Sequence, residues 1–81
     1  MNQTPLSYSE IEIRSFLPSG WNLLGPAQGR WDEKKGTWTA TVIDNVDYDW
    51  PLEVKSAEAD KVGRLDALKA AVDRVFRERL G

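Results

Sequence analysis

The sequence predicts one α+β domain over residues 1–81, with the element order α-β-β-β-α. This is a three-stranded antiparallel meander with a long C-terminal helix packed on one face. Three observations predict it. Residues 30–55 hold β-branched and alternating runs cut by two turn signals. Residues 56–80 repeat apolar side chains at helical spacing. The composition, 41% hydrophobic with four tryptophans, is that of a globular chain, because disordered chains lack the apolar surface that folding needs.

The first element admits two readings. Ser7 and Glu10 stand at capping-box spacing, with Leu6 and Ile11 at the flanking staple positions. Ile13, Phe16 and Leu17 then share a helical face, and Pro18 and Gly20 stop it. This favours a helix over Tyr8–Leu17, although Glu10-Ile11-Glu12-Ile13-Arg14 alternates like a strand. Gly20–Gly25 reads as a short extended segment between breakers, and Pro26–Gly29 as loop.

The hairpin that follows joins Arg30–Glu33 to Thr37–Asp44 through Lys34-Lys35-Gly36. A three-residue bulged turn, with Gly36 left-handed, places Trp31 opposite Thr39. A two-residue turn instead pairs Trp31 with Trp38. One residue of slip moves a tryptophan across the sheet, so sequence alone leaves open which is buried. Asp44–Asp47 reads as a turn and Tyr48–Lys55 as a third strand with Trp50, Leu52 and Val54 on its apolar face. Pro51 lacks a ladder donor and marks an edge.

Ser56 is a candidate cap for the last helix, with Glu58 in its first turn. Val62, Leu65, Leu68, Val72, Val75, Phe76 and Leu80 form its apolar stripe. Gly63 costs about 1 kcal/mol relative to alanine. The helix therefore starts either near residue 57 or at Arg64.

The zeros exclude most chemistry. Without cysteine or histidine there is no disulfide framework and no thiolate or imidazole, either for catalysis or for a metal. No cofactor is expected. Asp44, Asn45, Asp47, Asp49 and Glu53 cluster as oxygen donors, but a calcium loop counted from Asn45 would need glycine and glutamate where Trp50 and Ser56 stand, so no metal is expected either. No leader-like or membrane-spanning segment is visible, and a cytoplasmic location is the expectation.

The net charge of −2 hides a segregation. Residues 41–60 carry six acids against Lys55 alone. Residues 61–81 carry six bases against Asp66, Asp73 and Glu78. Such asymmetry marks either a partner surface or an acidic strand beside a basic helix.

Three groups are candidates for contact. Trp31 or Trp38 is the tryptophan expected to stay accessible, with two or three of the four filling the core that a small disulfide-free domain needs. Ala59, Gly63, Ala67 and Ala71 recur every fourth residue and allow close approach of another helix, within the chain or from a second copy. Helix propensity explains the alanines but not Gly63. Lys61, Arg64, Arg74 and Arg77 could contact phosphates. The spacings Asp60–Arg64, Lys69–Asp73, Asp73–Arg77 and Arg74–Glu78 suit a self-paired solvated face instead.

Glu10-Ile11, Leu17, Gly20-Trp21 and Leu23 resemble the opening of pterin carbinolamine dehydratases. The paired histidines of that family are absent here, so its activity does not transfer. The order α-β-β-β-α is similar to that of double-stranded-RNA-binding domains. Of the basic cluster those domains carry at the last helix, only Lys61 and Arg64 are present. The functional expectation is a small non-enzymatic domain acting through protein contacts, with homodimerisation as one form. Its rival is a nucleic-acid module using sheet aromatics and the basic helix, which the acidic stretch disfavours.

Overall fold

A computed structural model describes residues 5–25 and 29–80. The element order is α1 (Glu10–Phe16), β1 (Asn22–Leu24), β2 (Arg30–Asp32), β3 (Thr37–Ile43), β4 (Asp49–Lys55), α2 (Ser56–Val62) and α3 (Arg64–Leu80). Among the described residues the sheet is four-stranded and antiparallel, and there are three helices. This corrects the expected three strands and two helices at both ends of the chain.

The extra strand arises from how β3 is shared. Its free edges are two, and β4 occupies one along its whole length, from Thr37↔Lys55 to Ile43↔Asp49. On the other edge, β2 covers only Thr37–Thr39. The remaining half pairs with β1, Leu23 opposite Val42. β1 and β2 therefore run collinearly, as one edge strand interrupted opposite Ala40. Gly29, where the chain rejoins the sheet, has φ +71, and a Cβ there would stand 2.6 Å from both the Thr39 carbonyl oxygen and the Trp38 ring. Only glycine fits.

The extra helix arises at Gly63. β4 passes straight into α2, with Lys55 at the cap position and no side-chain cap, so Ser56 is not the cap expected of it. The Ser56 amide is satisfied instead by donating to the Gly36 carbonyl across the sheet, at 2.8 Å. Gly63, at φ 102, then breaks the helix. A Cβ at Gly63 would meet nothing within 4 Å. Its role is conformational, not close packing.

α1 is capped two residues later than expected. Ser9 Oγ accepts from the Glu12 amide and the Glu12 carboxylate accepts from the Ser9 amide. Both offsets match the capping-box pattern, and burial chooses between them. The staple residues of the observed box are Tyr8 and Ile13, both in the core, whereas Ile11 is 80% exposed.

Direct cross-strand partners share a face, so the register sorts the side chains. Trp31, Trp38, Ala40, Val42, Trp50, Leu52 and Val54 lie on one face, with Leu23. Against it pack Ile13 of α1, Ala59 of α2, and Ala67, Leu68, Ala71, Val72 and Val75 of α3. The hairpin resolves to the Trp31↔Trp38 register through a four-residue turn, Glu33–Gly36, not through either turn expected. The three-residue bulged turn occurs in the next hairpin, where Asp47 takes the left-handed conformation at φ 66.

The opposite face of the sheet is covered by no helix among the described residues. Its side chains fall in four rows across the three lines of chain: Asn22–Ile43–Asp49, Leu24–Thr41–Pro51, Arg30–Thr39–Glu53 and Asp32–Thr37–Lys55. The edge position expected of Pro51 is realised, since β4 pairs with β3 alone. The Ser56–Gly36 and Asp44–Tyr48 hydrogen bonds frame the β3–β4 ladder. Hydrogen-bonded pairs alternate between them, which turns the Pro51 nitrogen toward the free edge.

Candidate functional site

Exposed large apolar side chains are spread over the described surface, from Ile11 on α1 to Val62 and Leu65 at the α2–α3 break. One group, Val46, Tyr48 and Leu80, lies on the elements that a buried carboxylate joins. Asp44 closes β3, and its side chain is 1% exposed. Its Oδ1 accepts the amides of Val46 (2.8 Å) and Tyr48 (2.9 Å), which fixes the turn. Its Oδ2 accepts the Trp50 indole N–H (2.9 Å) and Arg79 Nε–H (3.0 Å). Arg79 also donates to Asn45 Oδ1 and lies over the Trp21 ring, which in turn contacts Phe76. One carboxylate thus joins a hairpin, a strand and the last turn of α3. Burial alone would raise the Asp44 pKa. The donors from Trp50, Tyr48, Val46 and Arg79 outweigh it and hold the group well below the usual carboxylate range.

Asp44, Val46, Tyr48, Trp50 and Arg79 line a cleft of about 410 Å³. Val46 is 59% and Tyr48 67% exposed, and Leu80 ends α3 at 68%. Asp47 and Asp49 lie exposed beside them. In the sequence Asp44 stands at a strand end and turn, among clustered oxygen donors. Its signal was local, an Asp-Asn pair before a strand; Arg79 stands 35 residues away and no spacing rule connects them.

A second cluster ties the N-terminal segment to α3. Arg64 donates to both Glu12 carboxylate oxygens and to the Ser7 carbonyl. The Tyr8 hydroxyl donates to the Arg64 carbonyl at 2.7 Å, and the Arg64 guanidinium stands over the Tyr8 ring. The Arg64 hydrogen bond, helped by the Ser9 amide, holds Glu12 at a pKa of about 2. Both carboxylates are thus lower in the folded chain than in the unfolded one. Their stabilisation is complete above about pH 5 and is lost progressively as protons bind below it. The urea midpoint is expected to fall between about pH 5 and 2, and Glu12→Gln to flatten part of that slope. A midpoint constant across the interval would contradict the two clusters.

The residues expected to make contacts are dispersed. Trp38 is 1% exposed, in the core, with its ring edge-on to Tyr8. Trp31 is half-buried on the same face. Ala59 and Ala67 are buried within the chain, and Gly63 is exposed between the two helices that carry them. The small-residue series is therefore split between α2 and α3. Lys61 is exposed near the bound Arg64, and Arg74 and Arg77 are exposed roughly 15–20 Å further along α3. The ion pairs among the described residues are Glu10–Arg14, Glu12–Arg64 and Asp44–Arg79; the four spacings expected along the last helix are not among them. The acidic and basic stretches do lie side by side, with Glu53 of β4 and Arg74 and Glu78 of α3 lining one groove.

No group of three acidic side chains that could hold a metal occurs among the described residues, and no described helix is long and apolar enough to cross a membrane. Comparison with protein families, curated proteins and solved structures returns no match to this chain.

Proposed function

We propose that this protein is a small non-enzymatic domain that acts through protein–protein contacts, self-association among them. The observation that carries the reading is the exposed apolar group in which Val46, Tyr48 and Leu80 stand on a turn and a helix end locked by Asp44 and Arg79. Large exposed apolar residues grouped on a rigid support are what a partner surface requires. Asp47, exposed on the same turn, suits a protein segment that presents apolar side chains flanked by basic ones.

The nucleic-acid reading needs rings on an open sheet and a continuous basic stripe. Here the strand tryptophans point toward the helices and the cations divide between two ends of α3. These placements favour the protein reading.

Selection of displayed peptides on the domain tests it, with Tyr48→Ser as the counter-target. The expected result is enrichment of apolar-basic sequences that bind Tyr48→Ser at least tenfold more weakly, a loss of about 1.4 kcal/mol. Tyr48 is exposed, so the variant is expected to keep the wild-type melting temperature. No enrichment, or peptides that bind both proteins equally, would remove the site.

A further inference from the structure

The face of the sheet that no described helix covers carries charge in an ordered arrangement. Arg30 and Asp32 stand on the β2 side, and Glu53 and Lys55 on the β4 side, in the same two rows. All four are exposed, and none of them belongs to an ion pair among the described residues. Reading across β3, positive faces negative in one row and negative faces positive in the next.

That arrangement is self-complementary under one operation. A two-fold axis along β3 lays the β2 side of one copy on the β4 side of another, row for row. Arg30 then meets Glu53 of the second copy, and Asp32 meets its Lys55. By symmetry each contact occurs twice, giving four ion pairs. The one uncharged row agrees with the same axis: Leu24 meets Pro51, and Thr41 meets its own equivalent. In the fourth row Asn22 meets Asp49.

We infer that the open sheet face is a self-association surface whose partner is a second copy of this chain, aligned by Arg30–Glu53 and Asp32–Lys55 pairs. The inference rests on the reading of the protein as one that acts through protein contacts, and it assigns the self-association to a face away from Tyr48. Strands spaced about 5 Å apart and seven residues long give roughly 300–400 Å² per copy. That is about half of a standard interface, so the dimer is weak, with dissociation in the high micromolar range, and sensitive to salt.

Sedimentation velocity at low salt tests it with two charge reversals. Arg30→Glu sets like charges against Glu53, and Glu53→Arg sets like charges against Arg30. Each variant alone is expected to dissociate at least tenfold more readily. Their equimolar mixture is expected to recover the wild-type affinity, because the mixed dimer restores opposite charges at both contacts. An axis across the strands would instead pair Arg30 with Asp32, and the mixture would not recover. Both side chains are exposed, and unchanged melting temperatures exclude a folding defect. Wild-type protein that stays monomeric at about 1 mM overturns the proposal, as does a mixture that stays monomeric. A dimer indifferent to both reversals but lost in Tyr48→Ser would overturn this surface and leave the contact reading standing. Failure of the peptide selection together with a monomeric wild type would remove both.

Discussion

Trp38→Ala is expected to cost about 3–5 kcal/mol, the range for truncating a large core aromatic. A domain of this size has on the order of 5–10 kcal/mol to lose. The indole is 1% exposed and meets Tyr8 edge-on, with ring centroids 4.7 Å apart. Gly29 lies against the indole ring, at a distance that admits no Cβ. Tyr8, Gly29 and the β3–β4 ladder thus converge on one side chain, and the cavity left by alanine cannot close without moving all three. With a urea slope of about 1 kcal/mol per molar, the midpoint should fall by roughly 3 M. A shift below about 1 M would mean that the core is not centred on Trp38.

Asp44→Asn is expected to lower the melting temperature by on the order of 10 °C, although it removes no volume. One amide oxygen can still accept the Val46 and Tyr48 amides. The amide nitrogen then faces the Trp50 indole N–H and Arg79 Nε–H, two donors that it cannot accept. Reversing the amide only moves the conflict to the turn. An unsatisfied buried donor loses its full solvation, which is why an isosteric change is costly here. The loss should come with faster hydrogen exchange in residues 44–48 and in the last turn of α3, the elements that Asp44 joins. Thermal scans and exchange measurements check both. A melting temperature within about 2 °C of wild type would mean that the Asp44 contacts add nothing.

Much of the fold is legible in the sequence where the signal is local. Alternation with β-branched residues marks β3, Pro51 marks an edge, and apolar spacing marks α3. Two of the misreadings share a cause, a partner distant in the chain. Asn22-Leu23-Leu24 is too short to announce a strand, and it becomes one because β2 leaves half of an edge of β3 unpaired. Ser7–Glu10 and Ser9–Glu12 are equal as capping boxes until the core claims Tyr8 and Ile13. Gly63 differs: the start at Arg64, one of the two the sequence allows, is realised, because the positive φ of Gly63 ends α2 there. The apolar stripe divides by burial: Leu68, Val72 and Val75 are buried, whereas Val62, Leu65, Phe76 and Leu80 are exposed.

The candidate sites were less legible than the fold. The tryptophans and small residues singled out as contacts are largely the ones the core needs. Arg30, Asp32, Glu53 and Lys55 show only as alternating charges in sequence. Their complementarity exists in the register between β2, β3 and β4, which the sequence leaves open to within one residue.

The central claim is that the protein presents a rigid set of surfaces to other chains, with one sheet face matched to its own copy. Amide chemical shifts recorded at increasing protein concentration test it most directly. Between about 20 µM and 1 mM at low salt, the account predicts shifts in Arg30, Thr39, Thr41 and Glu53 that vanish near 0.5 M salt. Spectra that do not change with concentration, or shifts confined to α3 and residues 44–48, would contradict it.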